Sequence, residues 1–188
     1  MSTLKRTAIL TTSLGFLTLG FAGASLAQSP AVPSPGLGKA ITEADIKAWD
    51  IAAMPDGKGL PAGSGTAAAG ATIYASKCSA CHGDGGKGAN VPGAGPLIGG
   101  APLTNGIDTP KTIANFWGHS TTLFDFIRRA MPFNQPRTLS GDDVYALTAY
   151  LLAINKIIGD ADVMNAQTLP QVKMPNRDNF IIRFPDRI

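Results

Sequence analysis

Cys78-Ser79-Ala80-Cys81-His82 is the stretch of this chain whose residue types and spacing can do chemistry. Two thiols one short turn apart can each add to one of the two vinyl groups on a haem edge. The histidine that follows is then held beneath the iron as its proximal ligand. The chain has 2 cysteines, both in this motif, so none is left for a structural disulfide or a thiolate iron ligand. A C-x-x-C pair has other uses. A thioredoxin-type redox pair belongs in a βαβ setting, and no such pattern surrounds these residues. A tetrahedral zinc ion needs two further nitrogen or sulfur ligands, and His119 is the one other histidine. The motif therefore predicts one covalently attached haem c.

A histidine below the iron leaves the opposite position to a second ligand. Methionine sulfur is a soft, weak ligand that favours ferrous iron and raises the potential of a His-ligated haem. Met131 ends an amphipathic stretch and precedes Pro132, in a segment suited to reach across the haem. A plain core role is the commoner fate of methionine. Met54, Met164 and Met174 lie in the flanking extensions, and His119 precedes a helix start. His119, another methionine and an open site stay as alternatives. A His/Met iron implies outer-sphere electron transfer, whereas an open site implies ligand binding or peroxidase chemistry. No further catalytic group accompanies the motif, and the acidic residues fall mostly at helix caps and in loops.

These residues need elements to position them. Ala67 to Lys77 has helix-forming composition and runs into the motif. Gly70 and Tyr74 fall four apart on one face, where a small residue lets another helix approach and an aromatic packs beside it. Gly83-Asp84-Gly85-Gly86-Lys87-Gly88 must be loop. No strand precedes it and no Gly-Lys-Ser/Thr occurs, so a phosphate cradle is a poor reading and a wrap around the haem edge a better one. Gly95 to Gly100 continues the wrap, with Leu97 and Ile98 as candidate haem contacts. Thr109-Pro110 predicts the start of a short helix carrying Ile113, Phe116 and Trp117. Thr122 with Asp125 has the form of a capping box. The helix behind it is expected to bury Leu123, Phe126, Ile127 and Ala130 and to stop at Met131-Pro132. Ser140 with Asp143 caps a helix to about Ile158, with Val144, Leu147, Thr148, Leu151 and Ile154 as its apolar face and Gly159 as its stop. This helix is expected to cross the one bearing Gly70 and Tyr74.

Residues 1–27 have the form of a secretory signal peptide: Lys5 and Arg6, an apolar run from Ala8 to Ala24, and small residues at Ser25 and Ala27 before a cleavage site at Gln28. The apolar run is short and rich in Gly, Ser and Thr, which argues against a membrane anchor. Export places the domain in the periplasm, where c-type attachment is completed. Residues 28–65 form a linker and N-terminal extension. Pro30, Pro33 and Pro35 make its first part flexible. Thr42-Glu43-Ala44-Asp45 caps a short helix through about Trp49 to Ala53, and Gly57 to Gly65 reads as an irregular strap. A haem domain spans 66–158, and 159–188 is an extended tail lying over the domain or over a partner.

The 188 residues carry a formal charge of +3, with 16 basic and 13 acidic residues. Removing Lys5 and Arg6 with the leader leaves 14 basic against 13 acidic, a net of +1, and two haem propionates would cancel it. No basic stripe with interleaved aromatics is present, so nucleic acid is not a partner.

The motif, Gly95-Pro96-Leu97, Ala130-Met131-Pro132 and the helix from Ser140 to Leu152 together resemble a class I cytochrome c over about Thr66 to Ile158. The resemblance implies an all-α fold wrapped around one haem, with irregular N- and C-terminal extensions and with His82 and Met131 as axial ligands. It also implies that the Pro96 carbonyl accepts a hydrogen bond from the His82 ring. A narrower resemblance reaches into the extensions. Ala48-Trp49-Asp50-Ile51, Pro55-Asp56-Gly57, Thr121 to Phe133 and Met174-Pro175-Asn176-Arg177-Asp178 are similar to the cytochrome subunit of the Sox sulfane dehydrogenase and to sulfite dehydrogenase cytochrome subunits. In that family the cytochrome is not itself the catalyst. It accepts electrons from a molybdenum-cofactor subunit that oxidises sulfite or sulfane sulfur, and passes them to another cytochrome or an oxidase. The larger Sox subunit carries two haems; this chain has one C-x-x-C-H and differs there. A freely diffusing periplasmic carrier is the alternative, and the long extensions argue mildly against it.

Overall fold

The structure is a computed structural model that describes residues 36–88, 91–103 and 108–180. The chain divides into two compact units, one ending at Ala40 and the other running from Ile41. Of the first, only Gly36–Ala40 is described, and each of these residues is exposed. The expected signal peptide and the proline-rich start of the linker lie outside the described residues.

Among the described residues the second unit is helical, with one small sheet. Its elements are α1 (Glu43–Trp49), β1 (Ser64–Thr66), α2 (Ala67–Lys77), α3 (Ser79–His82), α4 (Ile113–Phe116), α5 (Ser120–Ala130), α6 (Gly141–Ile154) and β2 (Val163–Asn165). Single 3-10 turns lie at Asp84–Gly86, Leu169–Gln171 and Arg177–Asn179. Antiparallel β1 and β2 pair Gly65 with Met164. Among the described residues no helix is long and apolar enough to cross a membrane.

Helix α6 is the centre. Its capping box forms as expected, with the Ser140 hydroxyl accepting from the Asp143 N–H and the Asp143 carboxylate accepting in return. The sequence predicts one apolar face. The structure instead buries Val144 to Ala149 and Leu151 to Ala153, nearly the whole circumference, as befits a helix surrounded by other elements. Helix α2 makes the most extensive contact with it. Gly70 is the reason the two can cross: a Cβ there would overlap the Ala146 carbonyl of α6. Tyr74 packs on Tyr150 beside it, ring centroids 5.1 Å apart.

Several local expectations are corrected. Helix α6 ends at Ile154, not near Ile158, because Asn155 caps it and its side chain is drawn into a neighbouring loop. The short helix begins after Thr112, not at Thr109-Pro110; the Thr112 and Asn115 side chains form the capping box, and Asn115 Nδ2 also donates to the Pro110 carbonyl (2.9 Å). Helix α5 starts at Ser120 instead of behind a Thr122 cap. Its first residue is buried, and the Ser120 hydroxyl donates to the Leu169 carbonyl (2.6 Å), so a tertiary contact sets the start. The buried face of α5 is also rotated. Leu123 and Ile127 are inside as predicted, but the third large residue is Phe124, fully buried, while Phe126 is 45% exposed. Residues advance by about 100° around a helix, so Phe124 faces α6 with Leu123 and Ile127. Phe126 turns away to meet Trp117 edge-on at 5.5 Å.

The C-terminal extension, as far as Phe180, lies over the domain. Strand β2 holds it at one end, and Met164, Leu169, Val172 and Met174 are buried in the main core. Asn176 Nδ2 donates to the Phe116 carbonyl (2.8 Å).

Candidate haem site

Helix α2 delivers the motif. The Cys78 N–H closes α2 on the Tyr74 carbonyl, and Cys81 and His82 then turn once around the Cys78 carbonyl in α3. Gly83 leaves this turn at φ +71°, a region an L side chain rarely adopts, and a Cβ there would collide with the Gly88 carbonyl. The buried Tyr74 hydroxyl donates to the Gly83 carbonyl (2.9 Å) and fixes the exit. Burial pushes the Tyr74 phenol up to about 12, with the neighbouring Cys78 and Tyr150 adding to the shift.

Both cysteines are free thiols, Cys78 half-buried and Cys81 exposed. Burial pushes the Cys78 thiol up to about 11, against a smaller downward pull from Lys77. His82 Nδ1 is buried and has no hydrogen-bond partner. The implied bond to the Pro96 carbonyl is therefore not among its contacts in this structure.

The loop opposite is held in detail. The Leu97 N–H donates to the Gly86 carbonyl (2.8 Å). Asn155 Nδ2 donates to the Leu97 carbonyl (3.1 Å), and Asn155 Oδ1 accepts from the Gly99 N–H (3.1 Å). The Thr112 hydroxyl donates to the Gly99 carbonyl, and Asn115 Nδ2 to the Ala101 carbonyl (2.9 Å). Pro96, Leu97 and Ile98 are all half-buried. No local pattern marks Asn155 as a loop anchor; its position one residue beyond an apolar helix was the available signal.

Met131 is the C-cap of α5, its N–H donating to the Ile127 carbonyl (3.1 Å), and its half-buried side chain packs against the core. The alternatives sit differently. Met164 and Met174 are buried core residues, and Met54 is exposed. His119 is the N-cap of α5, at the opposite end of that helix from Met131. Its Nδ1 is buried without a partner, and burial, then Arg177, lowers its pKa. Arg128 and Arg129 flank the same turn but are engaged within the molecule. Arg128 Nη1 donates to the Ile51 carbonyl (3.1 Å), and Arg129 Nε to Asp125 Oδ2 (2.7 Å).

Two unbridged thiols, an imidazole with a buried unpartnered nitrogen, a half-buried thioether and half-buried, apolar Leu97 and Ile98 are groups of the kinds that haem c takes. The helical fold and this set define a cytochrome c. The chain belongs to the c-type cytochromes, electron-transfer proteins rather than catalysts, and the family implies haem c. A family model described as cytochrome C oxidase, cbb3-type, subunit III matches residues 65–151. A chain of the crystal structure of the sulfane dehydrogenase SoxCD from Paracoccus pantotrophus is similar at 40% identity, over 79% of this chain and 72% of that one, with a TM-score of 0.70. No curated protein is significantly similar to the chain.

Proposed function

We propose that this chain is an exported monohaem cytochrome that accepts electrons from a molybdenum-cofactor dehydrogenase subunit oxidising sulfite or sulfane sulfur. It would pass them to another cytochrome or an oxidase in the periplasm. The observation that carries this reading is the reach of the similarity to the SoxCD chain. At 79% of the chain it extends beyond the 65–151 stretch of the family model and takes in residues of the extensions. A carrier needs little beyond the haem domain, so shared extensions speak for a shared assembly.

In this reading residues 1–27 are the leader, 28–65 the linker and N-terminal extension, 66–158 the haem domain and 159–188 the C-terminal extension. When bound, haem c supplies an iron that takes up and releases one electron. Cys78 and Cys81 would tether it, His82 and Met131 would ligate its iron, and Pro96 and Leu97 would pack against it. The unpartnered His82 Nδ1 is the donor that a Pro96 carbonyl would satisfy, fixing the ring's orientation. Phe133, 87% exposed and next to Pro132, forms part of the rim with the loop from Pro92 to Leu97.

The test is the molybdenum-to-iron ratio of the protein purified gently from its source cells. A ratio near one supports a stable dehydrogenase complex, with sulfite and thiosulfate the next substrates to assay. Iron without molybdenum overturns the tight-subunit reading in favour of the diffusing carrier. For the ligand set, Met131→Ala removes the far-red methionine-to-iron band of the oxidised protein. It also lowers the potential by roughly 0.1–0.3 V, a fraction of the ~0.8 V that axial ligands span. An unchanged band and potential would exclude Met131.

A further inference from the structure

The N-terminal segment Ala48–Ala53 grips the chain on both sides of Met131. Ahead of Met131, on the last turns of α5, Asp125 Oδ1 accepts from the Ala53 N–H (2.8 Å) and Arg128 Nη1 donates to the Ile51 carbonyl (3.1 Å). Asp125 is itself steadied by Arg129. Beyond Met131, Arg137 Nη2 donates to the Ala48 carbonyl (3.0 Å), and its guanidinium carbon lies 5.4 Å from the Trp49 ring centroid. Ile51, Arg128, Arg137 and Leu139 converge on a cavity of about 170 Å³ at this junction.

The segment that needs holding is plain from its exposure. Phe133 to Thr138 are all exposed, and the hydrogen bonds within the segment are local turns, Gln135 N–H to the Pro132 carbonyl (2.9 Å) and the Thr138 hydroxyl to the Gln135 carbonyl (2.8 Å). Arg137 carries the long-range tie. It does so at φ +65°, a conformation costly for a residue with a Cβ. Strained backbone persists where the surroundings over-determine it, and here the surroundings are the Ala48 carbonyl and the Trp49 ring.

We propose that the Ala48–Ala53 strap is a clamp on the sixth-ligand segment, with Asp125 and Arg137 as positioning residues that keep the Met131 sulfur at the iron. The proposal rests on the reading of Met131 as the axial ligand. A thioether is a weak ligand, so its occupancy depends on how well the chain that presents it is ordered. Charge-assisted bonds from a separate stretch of chain supply that order. The extension thereby acts on the metal centre without touching it.

The test uses the full-length oxidised holoprotein and imidazole as the competing ligand, read by loss of the far-red methionine-to-iron band. Arg137→Asn and Asp125→Ala are each expected to lose the band at roughly tenfold less imidazole than the wild type, the effect of losing about one charge-assisted bond. Asn tolerates positive φ, so Arg137→Asn is expected to keep its denaturant midpoint while the ligand competition shifts. A general loss of stability would move both. Wild-type imidazole midpoints in both variants overturn the clamp. A wild-type protein without the band, or a Met131→Ala protein that keeps it, overturns the ligand reading instead and the clamp with it.

Discussion

The histidine side of the candidate haem site is a run of loops, whereas the methionine side hangs from the end of a regular helix. Among the described residues from Gly83 to Ala101 the chain has little ladder of its own, and side chains from distant elements reach its backbone groups: Tyr74 from α2, Thr112 and Asn115 at α4, and Asn155 at the end of α6. On the methionine side α5 closes its own hydrogen bonds up to Met131, and the outside help arrives as a second stretch of chain, the Ala48–Ala53 strap. Buried backbone groups must be satisfied wherever the chain runs. A loop meets that demand with many single polar side chains, and a helix end with one docked segment. The histidine side should therefore respond to deletion of individual polar groups, and the methionine side to loss of the strap.

The largest expected effect removes the frame that both sides share. Gly70→Val places a side chain into the Ala146 carbonyl where α2 crosses α6, and a backbone obstacle cannot rotate away. We expect a loss of more than about 3 kcal/mol in denaturant unfolding. A loss below roughly 1 kcal/mol would mean the crossing is not as tight as drawn.

Asn155→Ala separates the two sides. It deprives the Leu97 carbonyl and the Gly99 N–H of their partners together, for an expected cost of about 2 kcal/mol. Because Asn155 touches the histidine-side loop, the imidazole competition at Met131 is expected to stay at the wild-type value. A shift there as large as that of Arg137→Asn would show the two sides to be one mechanical unit.

Tyr74→Phe is the gentlest change, about 1 kcal/mol for one neutral hydrogen bond to Gly83. It also carries a pH signature. The phenol's pKa is raised in the folded protein from 10.0 to about 12, so above pH 10 the unfolded chain gives up this proton while the folded one keeps it. Its contribution to stability is present below pH 10 and is lost as pH rises through 10 towards about 12. In Tyr74→Phe that part of the alkaline slope should flatten, as unfolding curves across pH 9 to 12 would reveal. An unchanged slope would indicate that the hydroxyl is not held as the structure has it.

Legibility followed the range of the interaction. The capping boxes at Thr42 and Ser140 were readable because cap and partner sit three residues apart. The crossing of Gly70 and Tyr74 with α6 was readable because helix geometry puts both on one face. The Thr122–Asp125 pattern misled because Asp125 serves the Ala53 N–H, 72 residues away in sequence, and Arg129. Phe126 misled because spacing alone does not say which edge of an apolar stripe meets the core. No local pattern names the partner of Arg128, which the fold brings to the Ile51 carbonyl.

The sequence by itself determined the cofactor chemistry and the helical class. C-x-x-C-H, the paired glycine and tyrosine, and the caps are local patterns whose meaning depends on neighbours within a turn or two. Only the tertiary structure decided what the extensions do and how the loops are held. It paired β1 with β2, sank Met164 and Met174 into the core, sent Asn155 to Leu97 and Gly99, and laid Ala48–Ala53 across both flanks of Met131. The physical reason is that a polar side chain or an extended strap has no periodicity to betray its partner. Its partner is whichever unsatisfied group the fold brings within hydrogen-bonding distance.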